Sequence, residues 1–396
     1  MNLPMAPTPT SLPQSSSSRL ASPPQSPSAS SPTSQSRTLS PSLPMTPSQA
    51  PAPALTPEET MEMQSEVRAL AAERGAVILA HNYQVPEVQD VADYVGDSLG
   101  LSRKAAAAEG EAIVFCGVHF MAETASILCP EKTVLIPDLD AGCSLAASID
   151  AEQLAEWRAR YPNGVVVMYV NTTAEVKALT DYCCTSANAV HVVRHIYETH
   201  GPNTEILFGP DMWLGAYVEK ELGRRMHVWD GECHVHAGIR PADIEATRAA
   251  HPGADFLIHP ECGCSTSVME YVAAGDISAE GVHMLSTGGM LSYAEQAERR
   301  AAAEQAERKA AAGRAVAGGR REAVVATEVG MLHPLRMAAP DIDFIPANPE
   351  ASCVYMKMIT LPKLRDSLRK MQFEVRVPEE IAVRARVPID RMVALG

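Results

Sequence analysis

The sequence lacks any apolar run that approaches the roughly 20 residues of a membrane-spanning helix, and it lacks a basic stripe. The first absence excludes a membrane span. The 48 acidic residues outnumber the 33 basic residues, and the net charge of -15 is spread along the chain. Because phosphate contacts need clustered lysine and arginine, this pattern argues against a nucleic-acid partner. We expect a soluble, cytoplasmic protein with neither a membrane nor a nucleic-acid partner.

The nine cysteines form no framework of short, regular spacings, and no Cys-x-x-Cys pair occurs among them. An odd number at irregular spacing is unlike a secreted disulfide scaffold and favours a reducing compartment. Free cysteine is commonly a small buried hydrophobe. We apply this interpretation to Cys116, Cys129, Cys183 and Cys184. The spacing of Cys262 and Cys264 is unlike a zinc knuckle, and a zinc or redox role for this pair stays open.

Two stretches lie outside the expected folded core. Residues 1–56 have no acidic residue and no compact apolar segment. Such a Ser/Pro-rich segment buries too little apolar area to offset its ordering entropy, so we predict a disordered tail. A role of this tail in organelle targeting stays open. Residues 294–320 are rich in Ala, Glu, Arg and Gln and predict a solvated helix inserted in a loop, interrupted by glycines near 313–319.

One pattern repeats between these stretches: a short β-branched run, a turn with reactive side chains, and then a helical segment. The runs lie at 76–80, 113–115, 165–169, 206–208, 256–258 and 324–326. Short apolar runs between helices predict parallel strands with crossover helices on both faces of a sheet. The runs are too many for one ordinary sheet. We therefore predict an α/β fold of several small parallel-sheet domains that face a shared centre.

Three lone cysteines, Cys143, Cys233 and Cys353, lie in predicted loops far apart in the sequence. Each has glycine or alanine within two residues, as is typical of turns. They can bind one metal centre only if the fold brings the three segments together. Spacing alone leaves ordinary packing as an open alternative, because no closely spaced pair indicates a ligand set.

Polar side chains follow several of the predicted strands, at the end where parallel sheets bind ligands. His81 and Tyr83 follow the first run, while Tyr169 and Asn171 leave one face of a strand terminus. Turns with hydroxyl groups lie at 185–188 and 286–289. They predict either ordinary helix caps or anion sites, where hydroxyl and backbone N–H groups meet a phosphate or carboxylate. With the histidines at strand ends, they favour a small anionic substrate.

The ordered set of motifs resembles the quinolinate synthase family of bacterial-type NAD biosynthesis. The matching segments are AHNYQ (80–84), GDSL (96–99), GVHFMAE (117–123), YVNT (169–172), TSANA (185–189), GPD (209–211), GECHVH (231–236), HPE (259–261), STG (286–288), TEVGM (327–331) and CVYMKMITL (353–361). Each motif alone is weak, whereas the ordered set is specific. The resemblance implies three α/β domains around a pseudo-threefold axis, with the active site at their junction. We predict a first domain at 57–142 plus 346–396, a second at 143–232 and a third at 233–345.

The resemblance also implies one [4Fe–4S] cluster per chain, held by Cys143, Cys233 and Cys353. Three thiolates leave one iron without a protein ligand, whereas four cysteines ordinarily hold an electron-transfer cluster. An iron with a free position is a Lewis acid that polarises a substrate hydroxyl or carboxylate for loss as water.

The family reaction condenses iminoaspartate with dihydroxyacetone phosphate and releases quinolinate, inorganic phosphate and two waters. The resemblance implies acid–base roles for Tyr83 and Glu261, an active-site role for His236, and contact of Tyr169 and Asn171 with the intermediate. The implied substrate-binding residues are His81, Ser98, Tyr169, Asn171, Ser186, His259, Glu261, Ser286 and Thr287. An L-aspartate oxidase or dehydrogenase that supplies iminoaspartate is the implied functional partner.

Other functions fit the sequence less well. A dehydratase of the aconitase kind has no need for two hydroxyl turns that favour a phosphate. A radical enzyme using S-adenosylmethionine is disfavoured because no Cys-x-x-x-Cys-x-x-Cys is present. A cluster-based redox sensor leaves the strand-end histidines, glutamate and tyrosines without a task and needs a basic DNA-binding module. Residues 1–56, the insertion at 294–320 and the Cys262–Cys264 pair depart from the family pattern.

Overall fold

The computed structural model describes residues 55–275, 278–312 and 321–396, without the side chains of 301–302 and 304–312. The predicted disordered tail lies outside the described residues except for its last two positions, as do the glycines near 313–319. Within the described ranges, no helix combines the length and the apolar character needed to cross a membrane.

Three sheets of four parallel strands organise the described residues. The first sheet contains β1 (Ala76–His81), β2 (Tyr94–Gly96), β3 (Ala112–Cys116) and β4 (Thr133–Leu135). The second contains β5 (Val165–Tyr169), β6 (Tyr182–Cys184), β7 (Ile206–Gly209) and β8 (His227–Val228). The third contains β9 (Asp255–Ile258), β10 (Val282–Met284), β11 (Arg321–Ala326) and β12 (Ile342–Pro346). The strand orders β2-β1-β3-β4, β6-β5-β7-β8 and β10-β9-β11-β12 repeat one topology three times.

Helices flank each sheet, as connections between parallel strands require. Those of the first unit are α1 (Pro57–Glu73), α2 (Pro86–Gln89), α3 (Ser98–Ala107) and α4 (His119–Leu128). Those of the second are α5 (Ala151–Arg160), α6 (Ala174–Lys177), α7 (Ala189–His200) and α8 (Met212–Leu222). Those of the third are α9 (His234–Ala237), α10 (Pro241–Ala250), α11 (Ser265–Ala274), α12 (Thr287–Ala312) and α13 (Leu332–Ala338), followed by α14 (Leu361–Lys370) and α15 (Glu379–Ala394). The predicted fold class, α/β with three parallel-sheet units, is confirmed.

The predicted runs are the two central strands of each sheet, whereas the edge strands were missed. All five residues of the central strand β3 are buried, while all three residues of the edge strand β10 are partly exposed. A central parallel strand is covered on both faces and is therefore visible in the sequence as an apolar run. The edge strands are too short or too mixed in character to produce such a run.

The strand register shows how closely the three units repeat. The last paired residues of the two central strands are Ala80 with Cys116, Met168 with Gly209, and Ile258 with Ala326. These three terminal pairs occupy the same place in their sheets, so positions counted from them can be compared between units. Ligands of such sheets bind beyond the carboxyl ends of the strands, so the residues that follow these terminal pairs are the ones to compare between units.

Helix α12 differs from the helix predicted at 294–320. It begins at Thr287, and Ala294 and Ala297 are buried. The start of the Ala/Glu/Arg-rich segment is therefore the packed continuation of a helix that begins at Thr287, one of the predicted substrate-binding residues. The prediction of a separate solvated helix within a loop was wrong at this end, because the composition alone does not show where a helix starts.

The C-terminal helices contact more than one unit. Helix α14 packs against α1, and α15 packs against α4 of the first unit and against α6 and β6 of the second. The Asn188 side-chain amide donates to the Met392 carbonyl at 3.0 Å, which ties α15 to the start of α7. The domain boundaries drawn from the sequence stay predictions.

Candidate active site

The loops after the first strand of each unit carry predicted site residues at equivalent positions. One residue past the terminal pairs lie His81, Tyr169 and His259, and three residues past them lie Tyr83, Asn171 and Glu261. In the first and third units these two positions belong to a turn, which is closed by Gln84 N–H donating to the His81 carbonyl and by Cys262 N–H donating to the His259 carbonyl. Each unit therefore presents one pair of polar side chains beyond its sheet.

The loops after the second strand of each unit carry hydroxyl groups at equivalent positions. His81 pairs with Gly96 and Tyr169 pairs with Cys184, and Ser98 and Ser186 each lie two residues past these partners. In the third unit Ile258 pairs with Met284, so the next position, His259, aligns with Leu285, and Thr287 lies two residues past it. Ser98 and Thr287 are the first residues of α3 and α12, and Ser186 lies three residues before α7. Helix N-termini present unpaired backbone N–H groups, so each hydroxyl lies beside donors suited to an anion.

A cavity lies among these loops, and all three units contribute to it. Its lining residues are His81, Tyr83, Asp97, Ser98, Tyr169, Thr185, Ser186, His259, Glu261 and Thr287. Eight of the predicted site residues are in this set. Asp97 and Thr185 were missed by the prediction, although both lie next to a predicted hydroxyl residue in the sequence.

Apart from the three cysteines, three predicted site residues lie outside the lining of this cavity. The Ser286 hydroxyl accepts a hydrogen bond from the Gly289 amide at 3.2 Å and so caps α12. The Asn171 Oδ1 atom is buried and has no hydrogen-bond partner among the described residues. His236 lies behind the cavity, in contact with Tyr83.

A buried hydrogen-bond network connects the catalytic residues predicted in the first and third units. The Tyr83 hydroxyl lies 2.6 Å from Thr327 Oγ1 and 3.2 Å from His236 Nε2, and the last two atoms are 3.0 Å apart. His236 Nδ1 lies 3.1 Å from Glu261 Oε2, with both side chains almost fully buried. Thr327 was missed as a site residue, although it follows β11 directly within a matching motif. Tyr83, Thr327 and His236 share hydrogen bonds, whereas Glu261 contacts His236 as an ion pair, since His236 Nδ1 has no hydrogen-bond partner among the described residues.

The histidines that line the cavity are neutral. Burial lowers the pKa of His81 and of His259 to about 3 each, because an imidazolium loses its hydration there. The Ser186 hydroxyl lies 3.1 Å from His259 Nε2, and the His259 ring stacks on His236 at 4.8 Å between centroids. The neutral imidazoles of His81 and His259 can therefore orient a substrate through hydrogen bonds without adding a positive charge.

Glu261 and His236 form an ion pair in this setting. Burial acts to raise the pKa of Glu261, but the neighbouring histidines and Tyr169 lower it to about 2. Burial acts to lower the pKa of His236, but Cys233 and Glu261 raise it to about 10. Burial and the charge of Glu261 raise the pKa values of Tyr83 and Tyr169. The site therefore combines a charged carboxylate–imidazolium pair with two protonated phenols.

The three lone cysteines each follow the fourth strand of a sheet: Cys143 follows β4, Cys233 follows β8 and Cys353 follows β12. Neighbours of the three cysteines are in contact: Ser144 Oγ lies 2.6 Å from His234 Nδ1, and the His234 and Tyr355 ring centroids are 5.9 Å apart. Burial raises the pKa of all three thiols, that of Cys143 to about 12. The fold thus brings the three segments together, as one shared metal centre requires. The four cysteines that were predicted to be packing residues are buried thiols: Cys116, Cys129, Cys183 and Cys184.

The donor groups beside Cys233 fit a metal-containing group. Ligand atoms of Cys233, His236 and Glu261 all lie within 4.8 Å of one another. Glu261 Oε1 is buried and has no hydrogen-bond partner among the described residues, which is costly for a carboxylate oxygen unless a ligand meets it. Thiolate and imidazole donors suit iron and zinc. These residues are therefore compatible with a metal-containing group bound beside Cys233.

Cys262 and Cys264 are joined by a disulfide bond next to Glu261, with 5.2 Å between their Cα atoms. Both side chains are fully buried. The sequence left a zinc or a redox role for this pair open, and in the structure the pair is in the oxidised, disulfide form. Their spacing allows the bond because the turn before α11 brings the two Cα atoms within disulfide range.

Comparison with known proteins identifies the family. The family model described as "Quinolinate synthetase A protein" matches residues 65–394. A quinolinate synthase of Thermus thermophilus is 54% identical over 334 residues, which cover 84% of this chain and 97% of that protein. Quinolinate synthase of Mycobacterium sp. (strain KMS) is 54% identical over 338 residues, 85% of this chain and 93% of that protein. A quinolinate synthase of Mycobacterium tuberculosis is 53% identical over 333 residues, 84% of this chain and 88% of that protein.

The matched residues include all three sheets, the three lone cysteines and every residue of the cavity. They confirm the resemblance that the ordered motifs predicted. The chain belongs to the quinolinate synthase family.

Proposed function

We propose that this chain condenses iminoaspartate with dihydroxyacetone phosphate to form quinolinate, with loss of inorganic phosphate and two waters. The observation that carries the proposal is the convergence of three lone cysteines beside the buried network of Tyr83, His236 and Glu261. A dehydrating condensation needs both kinds of group. It needs a Lewis acid for the leaving hydroxyl and it needs acid–base residues for the protons.

Cys143, Cys233 and Cys353 are the residues that would hold a [4Fe–4S] cluster. With three thiolates bound, such a cluster supplies one iron with a free position, which polarises a substrate oxygen for departure as water. Glu261 and Tyr169, both buried, would limit the access of bulk water to a substrate bound beside these cysteines.

The hydroxyl residues at the helix N-termini would bind the anionic groups of the substrates. Ser98, Ser186 and Thr287 combine a hydroxyl with nearby backbone N–H groups, and one such place per unit matches a phosphate and two carboxylates. The neutral imidazoles of His81 and His259 would orient the substrate carbonyl and imine groups through hydrogen bonds.

Glu261 and Tyr83 would move the protons. The ionised Glu261 carboxylate accepts a proton from a substrate carbon, and His236 stabilises the carboxylate at 3.1 Å until then. The Tyr83 hydroxyl, bonded to Thr327, donates a proton to a departing oxygen and recovers it through His236. Tyr169 and Asn171 hold the intermediate between these groups. A cytoplasmic location and coupling to an L-aspartate oxidase or dehydrogenase complete the proposal.

The test uses the full chain, purified and reconstituted anaerobically, with dihydroxyacetone phosphate and iminoaspartate formed in place from oxaloacetate and ammonia. We expect about four iron atoms and four sulfides per chain, and quinolinate and phosphate in equal amounts. Omitting either substrate should abolish both products. A chain that holds the full cluster and consumes neither substrate would refute the proposed reaction.

Gly288 provides a further prediction, because its neighbour is the cavity residue Asp97. A Cβ atom at position 288 would lie 2.6 Å from Asp97 Oδ2. The Asp97 carboxylate also caps α3 by accepting the Gly100 amide at 2.8 Å, so it cannot move away freely. We expect Gly288→Ala to raise the KM for dihydroxyacetone phosphate about tenfold, equivalent to ~1.4 kcal/mol, with cluster content unchanged.

The matched control for this variant is Gly253→Ala, since a Cβ atom there has no neighbour within 4 Å. It should leave both KM values at those of the wild type. Equal KM values for Gly288→Ala and the wild type would show that Asp97 and the start of α12 do not shape the substrate site.

A further inference from the structure

Glu328 is a fully buried carboxylate that the proposed chemistry does not use. It lies two residues past Ala326, the last residue of β11, at the start of the following loop. Its carboxylate accepts the Cys353 amide at 3.0 Å and the Gly330 amide at 2.7 Å. It also lies 2.9 Å from the Lys357 ammonium, whose side chain is a quarter exposed. One carboxylate thus contacts the backbone of a cluster cysteine and a neighbouring cation.

Lys357 extends this contact to the catalytic tyrosine. Its ammonium donates to the backbone carbonyl of Tyr83 as well as to Glu328. The loop of Gly330 also packs on Tyr83, since a Cβ atom at position 330 would lie 2.8 Å from the Tyr83 carbonyl group. The Glu328–Lys357 pair therefore connects the Cys353 segment, which follows β12, with the Tyr83 loop of the first unit.

A second carboxylate lies beside another cluster cysteine in an equivalent way. Asp211 lies two residues past Gly209, the last residue of β7, which is the position of Glu328 in its own unit. Asp211 is fully buried and forms a parallel β-bridge with Gly231, two residues before Cys233. The first unit has Val118 at this position. In two of the three units, therefore, the carboxylate at this position lies close to the segment of a lone cysteine.

We propose that Glu328 and Lys357 are positioning residues that lock the Cys353 ligand segment to the Tyr83 loop, so that cluster binding and the acid–base network share one geometry. The proposal rests on the proposed function. Neither residue lines the cavity, and the hydrogen bonds and ion pair of the two side chains go to the Cys353 and Gly330 amides, to the Tyr83 carbonyl and to each other. Partners that orient a metal ligand commonly change metal affinity or activity about 10- to 100-fold when they are lost.

The first variants to compare are Glu328→Gln and Lys357→Met. Glutamine keeps the shape but has only one acceptor oxygen. It can therefore accept only one of the two amides, which donate to different oxygens of Glu328, and it forms no ion pair with the ammonium. Methionine keeps much of the apolar stem of Lys357 but donates to neither Glu328 nor Tyr83. We expect both variants to lose the cluster to a chelator at least about tenfold faster than the wild type, followed as the bleaching of the visible band under anaerobic conditions.

The matched control is Asp181→Asn in the second unit. The Asp181 carboxylate also joins a backbone amide to a cation, because it accepts the Val166 amide at 2.8 Å and the Arg158 guanidinium at 3.0 Å. It is not among the residues of the cavity. We expect Asp181→Asn to lower the melting temperature of the apoprotein to a similar degree and to leave the bleaching rate unchanged.

The outcomes separate the two proposals. Bleaching rates of Glu328→Gln and Lys357→Met equal to the wild type, or raised only as far as in Asp181→Asn, would overturn the positioning role while leaving quinolinate formation intact. A wild type that binds no cluster would overturn the proposed function first. If Glu328→Gln does not fold, the partly exposed Lys357 decides the question through Lys357→Met and Lys357→Arg, with partial recovery expected in the arginine variant.

Discussion

Cys233→Ala is expected to leave the chain without a stable [4Fe–4S] cluster and without quinolinate formation. Alanine supplies no thiolate, so only Cys143 and Cys353 remain as cysteine ligands at the shared centre. Cys233 also contributes to the raised pKa of His236, so its loss weakens the acid–base network as well. The measurement is iron and acid-labile sulfide per chain, with the visible spectrum, on anaerobically purified protein before and after reconstitution.

The control for this variant is Cys116→Ala, which removes a fully buried thiol from the central strand β3. That substitution should cost some stability and leave the iron and sulfide content at that of the wild type. Retention of a complete cluster by Cys233→Ala would contradict the three-cysteine site, whereas loss of the cluster in both variants would indicate general unfolding.

Glu261→Gln is expected to lower kcat about 10²- to 10⁴-fold, the usual size of a lost general base. Glutamine fills the same space but accepts no proton from carbon, and it leaves His236 without its ionised partner at 3.1 Å. The pKa of His236 should then fall, because Glu261 is one of the groups that raise it to about 10. Steady-state rates of quinolinate formation, measured on samples matched for iron content, provide the comparison.

Glu232→Gln is the matched control, since Glu232 lies next to Cys233 in the sequence but is exposed. Its carboxylate accepts a hydrogen bond from the Trp213 indole N–H at 3.4 Å, outside the acid–base network. The variant should retain wild-type kcat. A kcat for Glu261→Gln within a few-fold of the wild type would assign the proton transfer to another group, and Tyr169 would be the next to replace because it interacts with Glu261.

The sequence predicted the central strands and the strand-end chemistry because both leave local signals. A strand covered on both faces, such as β3, must be apolar throughout, and a polar side chain at the end of such a run, such as His81, must lie at the carboxyl end of the sheet. Edge strands leave no such signal. β8 has only two residues, and both are partly exposed.

Other site features were missed because their partners are far apart in the chain. Thr327 contacts Tyr83 across 244 positions, and Lys357 reaches the Tyr83 carbonyl across 274. A threonine or lysine in such a loop is more commonly interpreted as an ordinary surface residue. Only the packing of these loops against the first unit shows that these two side chains meet Tyr83.

The sequence by itself determined the fold class, the family and the identity of most of the groups around the cavity, because ordered motifs and apolar periodicity are properties of the chain alone. The tertiary structure decided which of those groups meet. It brought the segments of Cys143, Cys233 and Cys353 together, placed Glu261 3.1 Å from His236 and buried His81. Burial and charge proximity depend on atoms from different units, so no local pattern of residues can specify them.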